Sequence, residues 1–278
     1  MESRGSTTRG GREPWLAIVA AAILAVAAPA FARAQAQAGP TAAMDGEWHF
    51  MLAPYMWMTG IEGDASVGPL QVPVDVSFSD LWDKFDFGLA GRLEGRKDRL
   101  GFGVDLSWNN LGAPIAANAP VASALDLEAD VRQVFAEGFG FYRVAHGGRA
   151  HNPAHLDVLA GVRYTTTRVR LTAETSSGAS YDGEFQDLDW LDAMAGLRGR
   201  APLGSRFVLL GRVDVAGFGS NFTWNLEGDL AFRASTRWTL GAGWRHMDFD
   251  YDNGEDGLAF REYQLAYDGP RVWFAYSW

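Results

Sequence analysis

Residues 85–97 read FDFGLAGRLEGRK, and residues 100–109 read LGFGVDLSWN. In the first run Phe85, Phe87, Leu89, Gly91 and Leu93 fall on one parity, and Asp86, Gly88, Ala90, Arg92, Glu94 and Arg96 on the other. A helix at 3.6 residues per turn would scatter the two sets, whereas a strand separates them. The second run repeats the pattern, with Leu100, Phe102, Val104, Leu106 and Trp108 against Gly101, Gly103, Asp105, Ser107 and Asn109. Only Lys97-Asp98-Arg99 lies between, so the pair is a hairpin.

Working outward, the same alternation recurs about ten times, including residues 156–164, 191–200, 207–216, 222–233 and 238–245. A soluble sandwich also alternates, because one face packs on the core and the other meets water. Its wet face usually carries Lys, Thr, Gln and Glu. Here that face is Gly, Arg and Asp, which suits a confined lumen where side chains fit beside one another and neutralise one another. The opposite face is Phe, Leu, Val and Trp with almost no charge, as a lipid-facing band requires, since an Arg or Lys at the bilayer midplane costs roughly 2 to 4 kcal/mol. One stretch conflicts with this scheme. Residues 131–144 put Phe135, Phe139 and Phe141 on the same parity as Glu137. Either a bulge shifts the register or Glu137 lies near an interface.

Composition excludes several classes. The chain has 278 residues, no cysteine and a formal charge of -10. Disulfides, thiolate metal sites and thiol catalysis are therefore absent, and nucleic acid is not an expected partner, because no basic face is visible. No run of about 18 apolar residues follows the N-terminal segment, so a helical membrane protein is excluded by hydropathy.

Residues 1–34 read as a cleaved signal peptide. Arg4, Arg9 and Arg12 form a positive n-region, WLAIVAAAILAVAAPA (15–30) an apolar core, and the small residues after Ala30 offer overlapping A-x-A cleavage sites. Cleavage there would remove four arginines and two glutamates, taking the charge from -10 to -12. A flexible segment at 35–46 and a barrel at 47–278 complete the domain plan.

The C-terminus alternates Val272, Phe274, Tyr276 and Trp278. Together with the signal segment and the amphipathic hairpins, this resembles small, single-chain bacterial outer-membrane β-barrel proteins, in which the last aromatic residue is read by the assembly machinery. The hairpin 87–111, with Arg92, Glu94, Arg96 and Asp105, resembles poorly characterised, porin-like barrels of proteobacteria. The resemblance covers roughly 48–278. It implies an outer-membrane location, with outer-membrane lipid, lipopolysaccharide and the assembly machinery as partners, and it carries no catalytic residue.

The expected fold is all-β, an antiparallel up-and-down transmembrane β-barrel of about ten strands (eight to twelve), near 48–59, 85–97, 99–110, 129–144, 154–168, 188–201, 205–217, 221–233, 236–249 and 259–278. An even count puts both ends in the periplasm. Short links at 97–99, 202–205 and 234–237 are then periplasmic turns, and 145–153 a longer one. The links at 60–84, 111–128, 169–187 and 250–258 are outer loops, the first with a short helical candidate at 79–85. The phase change around Asp268-Gly269-Pro270 predicts a bulge or an extra turn. Trp48, Tyr55, Trp57, Trp108, Tyr164, Trp190, Trp238, Trp244, Tyr276 and Trp278 read as interfacial girdles.

The functional candidates are the inward charges Arg92, Glu94, Arg96, Asp105, Arg163, Asp192, Arg198, Arg212, Asp214, Glu227, Asp229 and Arg245. They either line a water-filled path, where fixed charge selects solutes, or pair across the interior and plug it. His246, beside Asp248 and Asp250, is the single catalytic candidate, in a position resembling the outer-rim His and Asp of barrel proteases and lipid A-modifying enzymes. No serine completes a local motif, and the acidic run is more simply an outer loop. The cluster His146, His151 and His155 lacks a ligand spacing, so neither metal nor cofactor is assigned. A porin-like channel, a closed structural or surface-interaction barrel, and an outer-membrane enzyme all remain open at this point.

Overall fold

The computed structural model describes residues 46–67, 70–76, 89–114, 125–149, 152–175, 180–255 and 261–278. The signal segment, nearly all of 35–46, the helical candidate at 79–85 and His151 lie outside the described residues. Twelve strands are present among the described residues: β1 Trp48–Trp57, β2 Gly60–Val67, β3 Leu70–Val76, β4 Leu89–Lys97, β5 Leu100–Pro114, β6 Leu125–Arg149, β7 Asn152–Thr175, β8 Ser180–Leu203, β9 Phe207–Gly217, β10 Phe222–Arg233, β11 Trp238–Asp252 and β12 Arg261–Ser277. Every pairing is antiparallel; most join sequence neighbours, while β1 pairs with β4 and β2 with β12, and β1 closes on β12, giving a ten-strand barrel of β1 and β4 through β12. Closure leaves no edge in hydrocarbon, where an unpaired backbone group would cost several kcal/mol. At the seam, Phe50 N donates to Trp278 O at 2.9 Å and Trp278 N returns to Phe50 O at 3.1 Å.

The tight β4–β5 turn is made by Asp98 at φ 51°, a left-handed conformation that a short polar side chain tolerates. Gly204 at φ 74° turns β8 into β9. The 145–153 connection is tighter than its sequence suggests, because β6 and β7 stay paired out to Arg149 and Asn152. The outer links are also shortened by pairing: β6, β7 and β8 run 25, 24 and 24 residues, whereas crossing the bilayer takes only about 9 to 11. The 60–84 link begins as the hairpin β2–β3, with β2 on the outer half of β12. Thus β1 and β2 occupy one position in the wall and β3 is an added strand.

The irregularity expected on β12 sits on its neighbour instead. β12 keeps one phase throughout, with Tyr263, Leu265, Tyr267, Arg271 and Ala275 inward. The break falls at Met58–Thr59, between β1 and β2, where Met58 N donates to Pro270 O at 2.9 Å. Apparent phase change on β12 arose because apolar residues face inward in its first half and outward in its second. True bulges lie at Arg143/Ala145 and Val169/Arg170.

The outer wall is apolar and exposed, with Val104, Leu106, Leu191, Leu230 and Phe274 between 47% and 56% accessible. At the periplasmic end Trp48, Phe50, Trp238, Tyr276 and Trp278 make a girdle, with Phe50–Trp278 at 5.7 Å and Trp238–Tyr276 at 4.9 Å between ring centroids. Trp108, Tyr164 and Trp244 are exposed higher up. Tyr55, Trp57 and Trp190 do not join them, because their strand parity turns them into the lumen, where Trp57 and Trp190 are each 5% exposed.

Candidate functional site

The lumen is stratified. Toward the outer end lies an aromatic layer containing Trp57, Phe135, Trp190, Phe249, Tyr263 and Tyr267. Phe135 stacks on Phe249 at 5.2 Å, and Trp190 on Tyr251 at 4.6 Å, joining β8 to β11 above the short β9–β10 hairpin. A small polar cluster crosses this layer: Gln133 Nε2 donates to Tyr263 Oη at 2.6 Å and to Thr167 Oγ1 at 3.2 Å, and the hydroxyls of Tyr263 and Tyr267 share a hydrogen bond.

Below it runs a belt of charge. Glu137, on β6, accepts from Arg163 Nε at 2.9 Å and from Arg212 Nη2 at 2.6 Å, and Arg245 Nη2 lies 3.4 Å away. In the ring of ten, β6 and β11 stand opposite each other, so the Glu137–Arg245 contact spans the lumen. Asp214 bonds Arg163 and, at 2.9 Å, Asn225, whose Oδ1 accepts from Arg245 Nε at 2.9 Å. Arg92 bridges Asp105 and, at 3.0 Å, Glu227 on the far wall. Tyr55 donates to Asp105 at 2.7 Å, and Arg271 joins Glu227 at 2.9 Å to Asp229. The belt therefore holds five arginines (92, 163, 212, 245, 271) and five carboxylates (105, 137, 214, 227, 229), and it is neutral. A buried charge without a partner is expensive, and a paired, hydrogen-bonded one is tolerated.

Small residues on the wall make room for the inward rings. A Cβ at Gly101 would meet the Phe141 ring at 2.1 Å, and one at Gly103 the Phe139 ring at 2.3 Å. This accounts for Phe135, Phe139 and Phe141 sharing a face with Glu137. All four point inward, and neither a register shift between them nor an interfacial Glu137 is involved.

Beneath the belt the lumen opens toward the periplasmic end as a vestibule of about 500 Å³. Asp157 accepts from Arg143 Nε at 2.9 Å and from Arg198 Nε at 3.2 Å, and Arg198 also donates to Glu94 at 2.5 Å while lying 3.8 Å over the Phe141 ring. Arg200 donates to the Pro153 carbonyl. Arg96, Arg233, His49 and His155 also line it.

All twelve charged residues picked from the sequence point inward, but they divide among the strata. Arg92, Asp105, Arg163, Arg212, Asp214, Glu227, Asp229 and Arg245 are in the belt; Glu94, Arg96 and Arg198 are in the vestibule. Asp192 lies apart, accepting the Gly219 and Ser220 amides at 3.0 and 2.6 Å and the Ser220 hydroxyl at 2.8 Å. The sequence reading missed Glu137, Tyr55 and Arg271 in the belt and Arg143, Asp157, Arg200 and Arg233 below it. An unbroken parity carried from Tyr263 along β12 would have found Arg271.

His246 is on the outer wall, not in the lumen. Its ring lies 4.5 Å from that of Trp224, and its Nδ1 is 2.9 Å from Asp268 Oδ1, which also accepts from Trp244 Nε1 at 2.9 Å. Its cross-strand partners are Leu226 and Asp268, so no hydroxyl nucleophile is opposite it. Among the described residues no cluster of three His, Asp or Glu could hold a metal ion.

No family model matches the chain, and no curated protein matches it. Among solved structures it is similar to the outer membrane protease OmpT from Escherichia coli, at 8% identity and a TM-score of 0.53, over 86% of this chain and 99% of that one. The translocator domain of the autotransporter NalP from Neisseria meningitidis matches at 13% identity and a TM-score of 0.38, over 82% and 88%. At such identities the likeness is one of fold. The chain has the bacterial outer-membrane β-barrel fold, and its closed strands and apolar outer wall place it in that membrane.

Proposed function

We propose that this protein is a closed outer-membrane barrel, a structural scaffold that conducts no passive solute flow, and that its activity resides at its two ends. The observation that carries this reading is the contact between opposite walls at two heights. Glu137 on β6 reaches Arg245 on β11 in the belt, and Gln133 on β6 reaches Tyr263 on β12 in the aromatic layer. An open pore needs a continuous hydrated path between fixed charges; here the fixed charges are consumed by one another. Function is not inherited from fold, so the protease that shares this architecture carries no activity over to this chain.

The outward placement of His246, hydrogen-bonded to Asp268 within an aromatic girdle, supports an anchoring role at the outer interface. The terminal residues Val272, Phe274, Tyr276 and Trp278 face lipid on the closing strand, which supports their reading as the assembly signal. The test is single-channel recording of the purified, heat-modifiable barrel in a planar bilayer. A folded barrel that stays silent is the expected result; discrete conductance steps from the wild-type protein would overturn the reading in favour of a porin-like channel.

A further inference from the structure

Strands β9 and β10 stop lower than the walls on either side of them. Their hairpin turns over at 218–221, so β8 pairs with β9 only from Ala193 opposite Gly217 downward, whereas β7 and β8 stay paired up to Glu174 opposite Ser180. Among the described residues, no strand pairs with the other side of β8 between Ser180 and Leu191. Its backbone N–H and C=O groups form an open edge there, and such an edge is a template for a further strand. The edge stands in water. Above Leu191, which is 56% exposed beside Tyr164, the outer face continues as Asp189 and Asp187, and Asp187 pairs with Arg168 at 3.3 Å with both side chains more than half exposed. Charges so placed lie beyond the hydrocarbon.

The charge beside this edge is of one sign on both flanks. Trp190 and Tyr251 turn into the lumen and stack at 4.6 Å, which draws the upper parts of β8 and β11 together across the missing strands. Strand parity then leaves Asp187 and Asp189 on the outer face of β8, and Asp250 and Asp252 on the outer face of β11. At the floor between them Asn221 Nδ2, a neutral donor, reaches Asp250 at 3.2 Å and Asp252 at 2.7 Å. These carboxylates decide what the edge accepts. A second copy is disfavoured, because antiparallel pairing of β8 with itself would set Asp187 and Asp189 of each chain against those of the other, and like charges directly opposite destabilise a strand pair. A strand carrying the opposite charge meets no such barrier, and the same carboxylates select it.

We propose that the open edge of β8 is a docking site for an extended basic peptide segment of another protein outside the cell, which adds as a strand above the β9–β10 hairpin and sets alternate Lys or Arg side chains among Asp187, Asp189, Asp250 and Asp252. Backbone hydrogen bonds give such an interaction its affinity, and the alternate side chains give it its specificity. The docked segment is short, because the bulge opposite Val169/Arg170 interrupts the regular pairing of β8 above Gln186. This goes beyond the closed-barrel reading and does not depend on it, since the edge lies outside the membrane whether or not the lumen conducts.

The experiment titrates a fluorescein-labelled Lys-Val-Lys-Val-Lys-Val peptide with the folded barrel in a nonionic detergent and reads fluorescence anisotropy. Two companion peptides separate strand addition from simple attraction: one is N-methylated at every residue, which keeps each charge and removes each backbone donor, and one has Glu in place of Lys. The expected result is saturable binding of one lysine peptide per barrel, at least tenfold weaker binding of its N-methylated form and no binding of the glutamate peptide. The double variant Asp187→Asn/Asp189→Asn should weaken the lysine peptide several-fold and flatten its salt dependence while heat-modifiable migration is kept. Absence of saturable binding to the folded barrel, or equal binding of the N-methylated peptide, overturns the proposal. So does equal binding by the double variant. Conductance is recorded separately, so a leaky barrel that still binds the lysine peptide would sink the closed-barrel reading alone.

Discussion

The belt and the vestibule are made from the same two kinds of residue, arginine and carboxylate, in one lumen, and they differ in how completely those side chains fill it. Five against five leaves a layer in which every charge has an opposite, side chains from facing walls touch, and the interior is nearly inaccessible: Arg163 is 0% and Arg245 1% exposed. In the vestibule Arg143 and Arg198 share Asp157, and a cavity of about 500 Å³ remains beside them.

The largest effect is expected where the belt is most tightly interlocked. Glu137→Ala would strand Arg163, Arg212 and Arg245 around a missing anion, and removing one partner of a buried pair costs about 3 to 5 kcal/mol. The variant should unfold at a markedly lower urea concentration in tryptophan fluorescence, with the slope of the transition unchanged. A loss under about 1 kcal/mol would mean that water reaches the belt and shares its charges, which is the behaviour of a solvated pair. The double variant Glu137→Ala/Arg245→Ala removes both ends of the contact that spans the lumen. It should stay silent in a planar bilayer, because the aromatic layer above still joins Gln133 to Tyr263 across the lumen.

Much of this was legible before any coordinates. Strict period-two alternation gives the ten strands of the wall and the two sides of each, because a strand has no other way to sort its residues, while the hairpin of β2 and β3 in the 60–84 link went unread. What period two does not say is which side is inside once both sides are aromatic. Tyr55, Trp57 and Trp190 looked like girdle residues, and Phe135, Phe139 and Phe141 looked like lipid-facing ones in conflict with Glu137. The conflict vanishes because the upper lumen is itself apolar, a feature that composition alone does not distinguish from a lipid band. Arg271 was lost for the same reason, since the apolar run changes side across Gly269 while the strand does not. The ion-pair partners themselves were out of reach, because contacts such as Arg92–Glu227 join residues 135 apart in sequence and depend on which strands face one another across the ring.

A smaller effect is expected where the wall, not the charge, makes room for the belt. Gly161 sits on β7 opposite Phe139, and a Cβ there would meet the Gly138 carbonyl oxygen at 2.1 Å and the Phe139 Cα at 2.6 Å. Backbone, unlike the end of a flexible side chain, cannot swing aside. Gly161→Ala should therefore push β6 and β7 apart locally and cost about 1 to 3 kcal/mol, the usual scale of overpacking. Urea unfolding would show it, and a variant as stable as wild type would mean that the two strands twist more freely than their 24 and 25 residues of continuous pairing suggest.

The smallest effect is expected in the vestibule, and it is the sharpest contrast with Glu137. Glu94 and Arg198 are each 14% exposed at the side chain, and Arg198 keeps Asp157 and the Phe141 face when Glu94 is neutralised. The pair is close to a wet cavity, so water replaces much of what is lost. Glu94→Gln should cost at most about 1 kcal/mol, the range of partly solvated pairs. It also removes a negative charge from a lining rich in arginine, so part of that loss should be repulsion and should shrink with added salt. Urea midpoints at low and high ionic strength would read the difference. A salt-sensitive loss in Glu94→Gln beside a salt-insensitive one in Glu137→Ala is what a solvated pocket below a dry plug requires; equal salt sensitivity in both would make the two strata one continuous wet interior.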